Sequence, residues 1–475
     1  MNNAMKILSE RFKGKKAVLL GAGVSNMPLT EFLSSFGAEI EVRDKKTREA
    51  LGESAEKLES LGAGLVLGDG YLDNIKADYV FRSPGFRPDM AELKAAVEAG
   101  AELTSEMELF MEVRPAFTVG ITGSDGKSTT TTLVSKILEE KFKDTGRNVY
   151  LGGNIGYPLL HRVGTMDEGS FVSVELSSFQ LMTIDSPLDV AVITNVSPNH
   201  LNWHTGMDEY IAAKAKILNG AGRAVLNFGN EITRELGRKC SCPVTYFSKN
   251  PISPEDIEEK DRFICLDGEN IVRYDKKTDT REILMTLNDI LLPGLHNAEN
   301  YMAASGALWD IVEKEHIVKV AHEFGGVKHR LELIRVKDGV YYYNSSIDSS
   351  PTRTAAALSA ITDKAINLIC GGYDKNIPFE PLAKAIYESP NVKSVTVTGA
   401  TAPKILAAID AEKCAHNREI SVSHVPNFKD AVMHAASLSG SGEVVLLSPA
   451  CASFDAFANF EERGDYFRKI VTEEL

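Results

Sequence analysis

Positive charge is what this chain is short of. Lys and Arg number 52 against 66 Asp and Glu, a net charge of −14 over 475 residues. An acidic surface repels phosphate backbones, which argues against nucleic acid as a general partner; a small anion held by local amides and a few cations remains compatible. Paired cysteines are missing too. Cys240, Cys242, Cys265, Cys370, Cys414 and Cys451 contain no CxxC spacing, which speaks against a zinc ribbon or a thioredoxin-like site. Buried free thiols in a reducing compartment are the expectation. The N-terminus has no apolar signal core, and no apolar run of about 18 residues occurs. The chain therefore reads as cytoplasmic, neither secreted nor membrane-spanning. Solenoid-period repeats and low-complexity segments are also lacking.

What is present is the balance of a soluble globular protein, with 43% hydrophobic and 25% charged residues. At roughly 150 residues per domain, the length predicts about three domains. Three segments each open on a β-run. Ala17–Leu20 runs into Gly21-Ala22-Gly23, then a helix with Leu29, Phe32, Leu33 and Phe36 on one face and Pro28 in its first turn. Glu39–Arg43, Leu65–Leu67 and Tyr79–Arg82 follow as strands. The second segment has strands Phe117–Thr122, Phe171–Leu176, Val190–Val196 and Arg223–Asn227, and a hairpin over Phe263–Tyr274 turning at Asp267-Gly268. A break falls near Phe324-Gly325-Gly326. Beyond it lie strands Val340–Asn344, Ile366–Cys370, Ser394–Thr398 and Val444–Leu447. Alternating β and α predicts an α/β fold with mostly parallel sheets, divided as 1–115, 116–325 and 326–475.

The stretch from Gly120 to Ser128 joins an apolar strand to a helix and reads Gly-Ile-Thr-Gly-Ser-Asp-Gly-Lys-Ser. Glycines let backbone N–H groups turn towards phosphates, Lys127 brings charge to the β- and γ-phosphates, and Ser128 offers a hydroxyl to Mg²⁺. The helix N-terminus adds a favourable dipole. The generic GxxxxGK spacing would put glycine at Ile121, so the shorter form Thr-Gly-x-x-Gly-Lys-Ser is the one that fits. The bland alternative, a glycine turn beside a solvated lysine, sits poorly with a strand before and a helix after.

A Mg²⁺ site needs further hard oxygen ligands. Glu175 ends the apolar strand Phe171–Val174, and His200 follows the next strand, both at ends where parallel sheets present ligands. Alone, each would read as a solvated strand-end residue or a structural histidine. On a helix over Tyr210–Leu218, Lys214 falls within the face of Ile211, Ile217 and Leu218, whereas Lys216 falls on the polar side and reads as solvated. An ammonium inside an apolar face is costly unless paired or neutralised, which makes Lys214 a site candidate, with snorkelling the competing reading.

Taken together these runs resemble the Mur ligases over nearly the whole chain. The carriers are Thr122–Ser128, Gly152-Gly153-Asn154-Ile155-Gly156 and Glu175-Leu176-Ser177-Ser178-Phe179-Gln180. Further along come Leu292-Pro293-Gly294-Leu295-His296-Asn297 with Asn300, His329-Arg330, and Leu447 to Ser453 continuing to Asn459-Phe460. The Glu-Leu-Ser-Ser-Phe-Gln run, the Ser-Pro-Ala-Cys-Ala-Ser run and the Ser83-Pro84-Gly85 turn point within the family to a D-glutamate-adding member. The resemblance implies three domains: a Rossmann-like N-terminal one for the UDP end of a substrate, a central P-loop ATPase-type mixed sheet, and a C-terminal Rossmann-like one for the incoming amino acid. It implies ATP, UDP-N-acetylmuramoyl-L-alanine and D-glutamate as substrates, Mg²⁺ as cofactor, a monomer, and an acyl phosphate intermediate.

Residue by residue, the resemblance implies that Gly123, Ser124, Asp125, Gly126, Lys127, Ser128 and Thr129 bind ATP. Asn297 and Asn300 would contact adenine, and Arg330 a phosphate. Ser128, Glu175, His200 and Lys214 would hold metal, Lys214 as a carbamate formed with CO₂, and His329 would stabilise the intermediate. Ser25, Asn26, Asp44, Lys45, Ser83 and Asn154 would serve the UDP substrate. Ser349, Lys375, Ser453 and the backbone of Phe460 would serve D-glutamate. Four positions depart from the pattern: Asp125 and Asn202 exchange Asn and Asp, and Ser345 replaces an acid while Asp348 stands where alanine is usual. Retained binding with reduced turnover is the expectation from these changes. A folylpolyglutamate-synthase-like ligase and a catalytically weakened nucleotide-binding paralogue remain as competing readings. A dehydrogenase is more distant, because Asn26 replaces the third glycine of the Gly21 fingerprint.

Overall fold

Short runs rich in Val, Ile and Leu become strands buried on both faces, and the amphipathic stretches between them become the helices that cover those faces. The computed structural model describes every residue except Met1, Val24, Ser25, Asn202, Pro293, Lys375, Asn376, Cys414 and Asn417. Ser25 and Lys375, expected as ligands, thus lie outside the described residues, as do the departure at Asn202 and the motif residue Pro293. The chain falls into two compact units, Met1–Glu323 and Phe324–Leu475.

The first unit holds two sheets. One has five parallel strands in the order Gly64–Leu67, Glu39–Asp44, Lys16–Leu20, Tyr79–Phe81, Glu102–Thr104. The other has nine strands. Its parallel part runs Val149–Gly153, Phe171–Glu175, Phe117–Thr122, Val190–Ile193, Arg223–Asn227, Val244–Ser248, Arg262–Asp267. Antiparallel Asn270–Asp275 and Thr280–Thr286 complete it. One hydrophobic core, from Ala4 and Leu8 through Leu109 and Phe110 to Phe263, runs from the first sheet to the second. Phe117–Thr122 pairs with Phe171–Glu175 on one side and Val190–Ile193 on the other, so chain connections leave it in both directions. A crevice at the carboxyl ends of these strands is the place where such a sheet binds ligands.

The second unit has a six-stranded sheet ordered Glu332–Lys337, Val340–Asn344, Val444–Leu447, Ile366–Gly371, Val392–Thr398, Ser421–His424, with only the first pair antiparallel. Separate apolar clusters cover its two faces.

Some expectations need correction. The strand expected over Val190–Val196 ends at Ile193, because Thr194 and Asn195 turn their side chains to the phosphate loop. The helix expected over Tyr210–Leu218 is an α-helix over Met207–Ala215 followed by a tighter turn over Lys216–Leu218. That tightening brings Lys216 in from solvent: it is half-buried, and its Nζ donates to the Met182 carbonyl at 2.5 Å. Cys265, Cys370 and Cys451 are buried as expected, but Cys240 and Cys242 are half-exposed with their sulfurs 3.2 Å apart. Among the described residues no helix is long and apolar enough to cross a membrane.

Candidate active site

The phosphate loop leaves the strand Phe117–Thr122 and enters the helix Lys127–Phe142. Its shape depends on two glycines. Gly123 has φ +151°, and a β-carbon there would lie 1.8 Å from Thr194 Oγ1; Gly126 has φ +78°, and its β-carbon would meet Asn300 Oδ1 at 2.4 Å. Only glycine combines these backbone angles with such close neighbours. Side chains from the adjacent strand end hold the loop from behind. Thr194 Oγ1 donates to the Asp125 carbonyl at 2.5 Å, the Asp125 N–H donates to Asn195 Oδ1 at 2.9 Å, and the Ser124 N–H donates to the Asn195 carbonyl at 2.9 Å. Ser124 Oγ lies 2.9 Å from Tyr210 Oη. Lys127 folds back, its Nζ 2.8 Å from the Ser124 carbonyl. Ser128 is buried and Thr129 half-buried on the first helical turn.

Asp125 itself is exposed, with its backbone rather than its carboxylate building the loop. A solvated carboxylate near phosphate repels it weakly. Asp125→Asn should tighten ATP binding by about threefold at low salt, and the gain should vanish as salt rises. Titration of nucleotide affinity against ionic strength checks this; equal affinities at low salt would refute it.

Glu175 and Lys214 face this loop from two sides. Glu175 is 1% exposed, because the strand end that carries it lies between two others. Asn154 donates to its Oε1 at 2.9 Å from the end of the strand Val149–Gly153, and Oε2 is buried without a hydrogen-bond partner. Lys214 is 2% exposed. Its Nζ donates to the Gly123 carbonyl at 2.6 Å and lies 4.6 Å from the centre of the Tyr210 ring. Burial first, then the charge of Lys127, lowers its pKa to about 7. His200 is exposed on the following loop at φ +55°, its ring edge against Phe179. Partial desolvation of the ring, then the charges of Lys127 and Lys214, hold it below the usual histidine value.

Among the described residues no three His, Cys, Asp or Glu side chains come together as a ready-made metal site. The donors present are of mixed type: the Ser128 hydroxyl, the His200 ring and the buried, unpartnered oxygen of Glu175. That oxygen fits a cation, since a buried carboxylate oxygen without a partner is costly in the apo protein. A neutral amine at Lys214 also fits, because it is buried and already crowded by the charge of Lys127.

Of the remaining first-unit candidates, Asn26, Ser83 and Asn154 line a cavity of about 340 Å³, together with Arg82, Pro84 and Gln180, among others. Ser83 Oγ donates to the Leu20 carbonyl at 2.6 Å. The Asn26 amide nitrogen donates to the Leu20 and Gly21 carbonyls at 3.0 and 2.5 Å, so it fastens the glycine turn to the sheet. Asp44 accepts from the Ala22 and Lys46 N–H groups, and Lys45 is exposed beside it. Asn300 lies in the helix Leu295–Ala307, buried behind Gly126 and bonded to Thr130, with Asn297 one turn earlier.

In the second unit a smaller cavity, about 220 Å³, is lined by Arg330, Leu331, Ser345, Ile347, Asp348 and Arg353, among others. The carboxylate that the loop lacks at Ser345 arrives there at Asp348. It is buried, accepts from Ser448 Oγ at 2.8 Å, and is bonded to the Ser345 side chain. Burial raises its pKa despite those hydroxyls and two arginines. The folded state thus disfavours the carboxylate, and the stability cost grows as pH rises. Asp348→Asn should therefore melt a few degrees higher than wild type at pH 8, with the gap closing as pH falls to about 4, the value of an ordinary aspartate. A gap that is constant with pH would contradict this.

His329 is buried at φ +63°; Asn344 Nδ2 donates to its Nδ1 at 3.0 Å, and its Nε2 has no hydrogen bond, with Asp465 3.8 Å away. Ser349 is half-buried and Ser453 buried. The Phe460 carbonyl accepts from Ser346 Oγ at 2.8 Å. Arg463, which sequence reasoning did not single out, pins these loops together. It is 2% exposed and donates to the carbonyls of Ser346, Cys451 and Ala452 at 2.9–3.1 Å. Burial lowers its pKa to about 10. No local sequence signal marks it, since its partners lie 11 to 117 residues away.

Models of the Mur ligase middle domain and of the Mur ligase glutamate ligase domain match residues 121–308 and 329–451. The chain is 43% identical over 477 residues to the UDP-N-acetylmuramoylalanine–D-glutamate ligase of Acetivibrio thermocellus, covering 99% of each chain. It is 44% identical over 462 residues to the enzyme of the same name from Clostridium beijerinckii, covering 96% of each. Among solved structures, the UDP-N-acetylmuramate-alanine ligase of Thermotoga maritima shares the fold, with a TM-score of 0.53 at 16% identity, covering 97% of this chain and 100% of that one.

Proposed function

The chain belongs to the Mur ligase family, and from that premise we propose that it joins D-glutamate to UDP-N-acetylmuramoyl-L-alanine in an ATP-driven step of peptidoglycan precursor synthesis. The observation that carries this reading is full-length identity above 40% to D-glutamate ligases. The phosphate loop with its buried Glu175 and Lys214 supports it independently.

The chemistry is a two-step acyl transfer. An oxygen of the muramoyl-alanine carboxylate attacks the γ-phosphorus of ATP, and the bond to ADP breaks. The D-glutamate amine then attacks the acyl carbon. The tetrahedral species loses a proton from nitrogen and expels phosphate, leaving an amide. Backbone N–H groups of the loop other than those of Ser124 and Asp125, which donate to Asn195, and the Lys127 ammonium hold the phosphates in place. Ser128, Glu175, His200 and Lys214 are the residues that would hold Mg²⁺, Lys214 as a carbamate. When bound, Mg²⁺ neutralises charge on the transferring phosphoryl group. Carbamate formation needs a neutral amine that attacks CO₂ and loses a proton, and the burial of Lys214 favours that neutral form.

Residues 1–115 take the UDP end, which Ser25, Asn26, Asp44, Lys45, Ser83 and Asn154 serve; of these, Asn26, Ser83 and Asn154 line the 340 Å³ cavity. Residues 116–325 bind ATP, with Asn297 and Asn300 towards adenine. Residues 326–475 bring D-glutamate through Ser349, Lys375, Ser453 and the Phe460 backbone, with Arg330 on phosphate and His329 at the intermediate. The chain acts as a cytoplasmic monomer. Phosphate release in three mixtures tests the reading: ATP with the UDP substrate, with D-glutamate, and with both. Sustained release only with both is expected; equal release with L-glutamate or glycine in place of D-glutamate would overturn it.

A further inference from the structure

Resting on that function, we propose that Arg87 is a positioning residue that couples occupancy of the UDP-substrate cavity to the metal-binding face of the ATP site. Its place in the chain is the first link. Residues Phe81 to Pro84 line the 340 Å³ cavity. The turn they enter is tight, since the Phe86 N–H donates to the Ser83 carbonyl and Arg82 Nη1 donates to the Phe86 carbonyl. Arg87 is the next residue, so a ligand that moves Ser83 or Pro84 moves the base of the Arg87 side chain.

The guanidinium of Arg87 reaches 122 residues along the chain. It grips Glu209 through two bonds, Nη2 to Oε1 at 2.9 Å and Nη1 to Oε2 at 3.1 Å, and donates to the Trp203 carbonyl at 2.7 Å. It also lies 5.0 Å from the centre of the Trp203 ring, and Trp203 Nε1 points back to the Gly85 carbonyl at 3.5 Å. Forked pairing of this kind fixes direction as well as distance.

Glu209 and Trp203 sit where two metal-site residues can be steered. Glu209 is in the first turn of the helix Met207–Ala215, the same short helix that carries Tyr210 and Lys214. Its Oε2 also accepts from the Thr205 N–H and lies 2.9 Å from His204 Nδ1. The other ring nitrogen of His204 lies 2.9 Å from Ser178 Oγ, three residues beyond Glu175. The N–H groups of Trp203 and His204 both donate to the His200 carbonyl at 3.0 Å, which closes the turn holding His200 at its positive φ. The Phe179 ring packs against His200, Trp203 and His204 together. One side chain from the UDP-binding portion therefore anchors the loop of His200 and the helix of Lys214 at once. Neither Arg87 nor Glu209 is among the residues that would hold metal or phosphate, so their role is to position those that do.

Such a brace makes binding at the two sites interdependent, and the dependence is reciprocal. Mn²⁺ binding is read by electron paramagnetic resonance on the full chain with a non-hydrolysable ATP analogue, with and without UDP-N-acetylmuramoyl-L-alanine. In wild type the sugar nucleotide should tighten Mn²⁺ binding by about fivefold or more. In Arg87→Ala and in the isosteric Glu209→Gln that factor should fall to about one, while Arg87→Lys should keep part of it. A merely structural role would weaken Mn²⁺ equally with and without the sugar nucleotide, leaving the factor at its wild-type value, and that result overturns the coupling. A factor of one in wild type overturns it as well. Sugar-nucleotide binding measured in the same samples separates the two readings: no binding in wild type removes the proposed function together with the coupling, whereas binding with a factor of one removes the coupling alone.

Discussion

Lys214→Ala should fold and bind ATP yet turn over about a hundred- to a thousandfold more slowly, the loss expected when one preorganised charge at a phosphoryl-transfer site is removed. The side chain is buried beneath the phosphate loop, with its nitrogen on the Gly123 carbonyl and over the Tyr210 ring. Its removal leaves a pocket beside Lys127 and Glu175, the two charges that act on it most. If the working form is a carbamate, a small carboxylate such as acetate should enter that pocket and restore part of the rate. If the working form is the plain ammonium, methylammonium should rescue and acetate should not. Added bicarbonate should activate wild type and leave Lys214→Ala unchanged.

The same residue ties stability to pH. Its folded pKa, about 7, lies below that of a lysine in the unfolded chain, so between these values the unfolded state binds the extra proton. Stability contributed through this group therefore rises with pH above about 7, and its full cost is felt below that. A melting series of wild type and Lys214→Met across this range should show the slope in wild type and a flatter line in the variant.

Gly123→Ala should be the most damaging single-atom addition in the phosphate loop. The new carbon would lie 1.8 Å from Thr194 Oγ1 and 3.2 Å from the Asn195 carbonyl, at a backbone angle that L-residues rarely adopt. Backbone relaxation would break the bonds from Thr194 and Asn195 that hold the loop open. Strain and overpacking together should cost about 2–4 kcal/mol of stability, and the KM for ATP should rise more than about tenfold. Gly146→Ala is the control. It also has positive φ, +74°, but nothing lies within 4 Å of the added carbon. It should cost about 1 kcal/mol and leave the KM for ATP unchanged. Equal KM values for the two variants would contradict the assignment of the loop.

The phosphate loop, the strand carrying Glu175 and the inward face of Lys214 were all legible because each follows from local pattern. A glycine loop between strand and helix, an acid closing an apolar run, and a 100° step along a helix need no knowledge of distant partners. The strands Val149–Gly153 and Val244–Ser248 escape a reading of the sequence because each is only five residues long, too short for a periodic pattern to separate strand from loop. Glu332–Lys337 and Ser421–His424 do so because they sit at the sheet's edges and mix polar with apolar residues.

A regular helix places Lys216 on the polar side, but the last turn tightens and its amine reaches the Met182 carbonyl instead. Asn26 shows another limit. Its amide could serve a ligand or its own backbone, and only the fold reveals the Leu20 and Gly21 carbonyls within reach. Arg87, Glu209 and Arg463 were invisible for a stronger reason. Each is an ordinary charged residue until chain segments about a hundred residues apart are brought together.

The most direct measurement of the central claim follows oxygen. UDP-N-acetylmuramoyl-L-alanine labelled with ¹⁸O in the alanine carboxylate is turned over with ATP and D-glutamate, and the released phosphate is weighed. Transfer through an acyl phosphate predicts one ¹⁸O in each phosphate and one left in the amide carbonyl. Unlabelled phosphate accompanying amide formation would contradict the account.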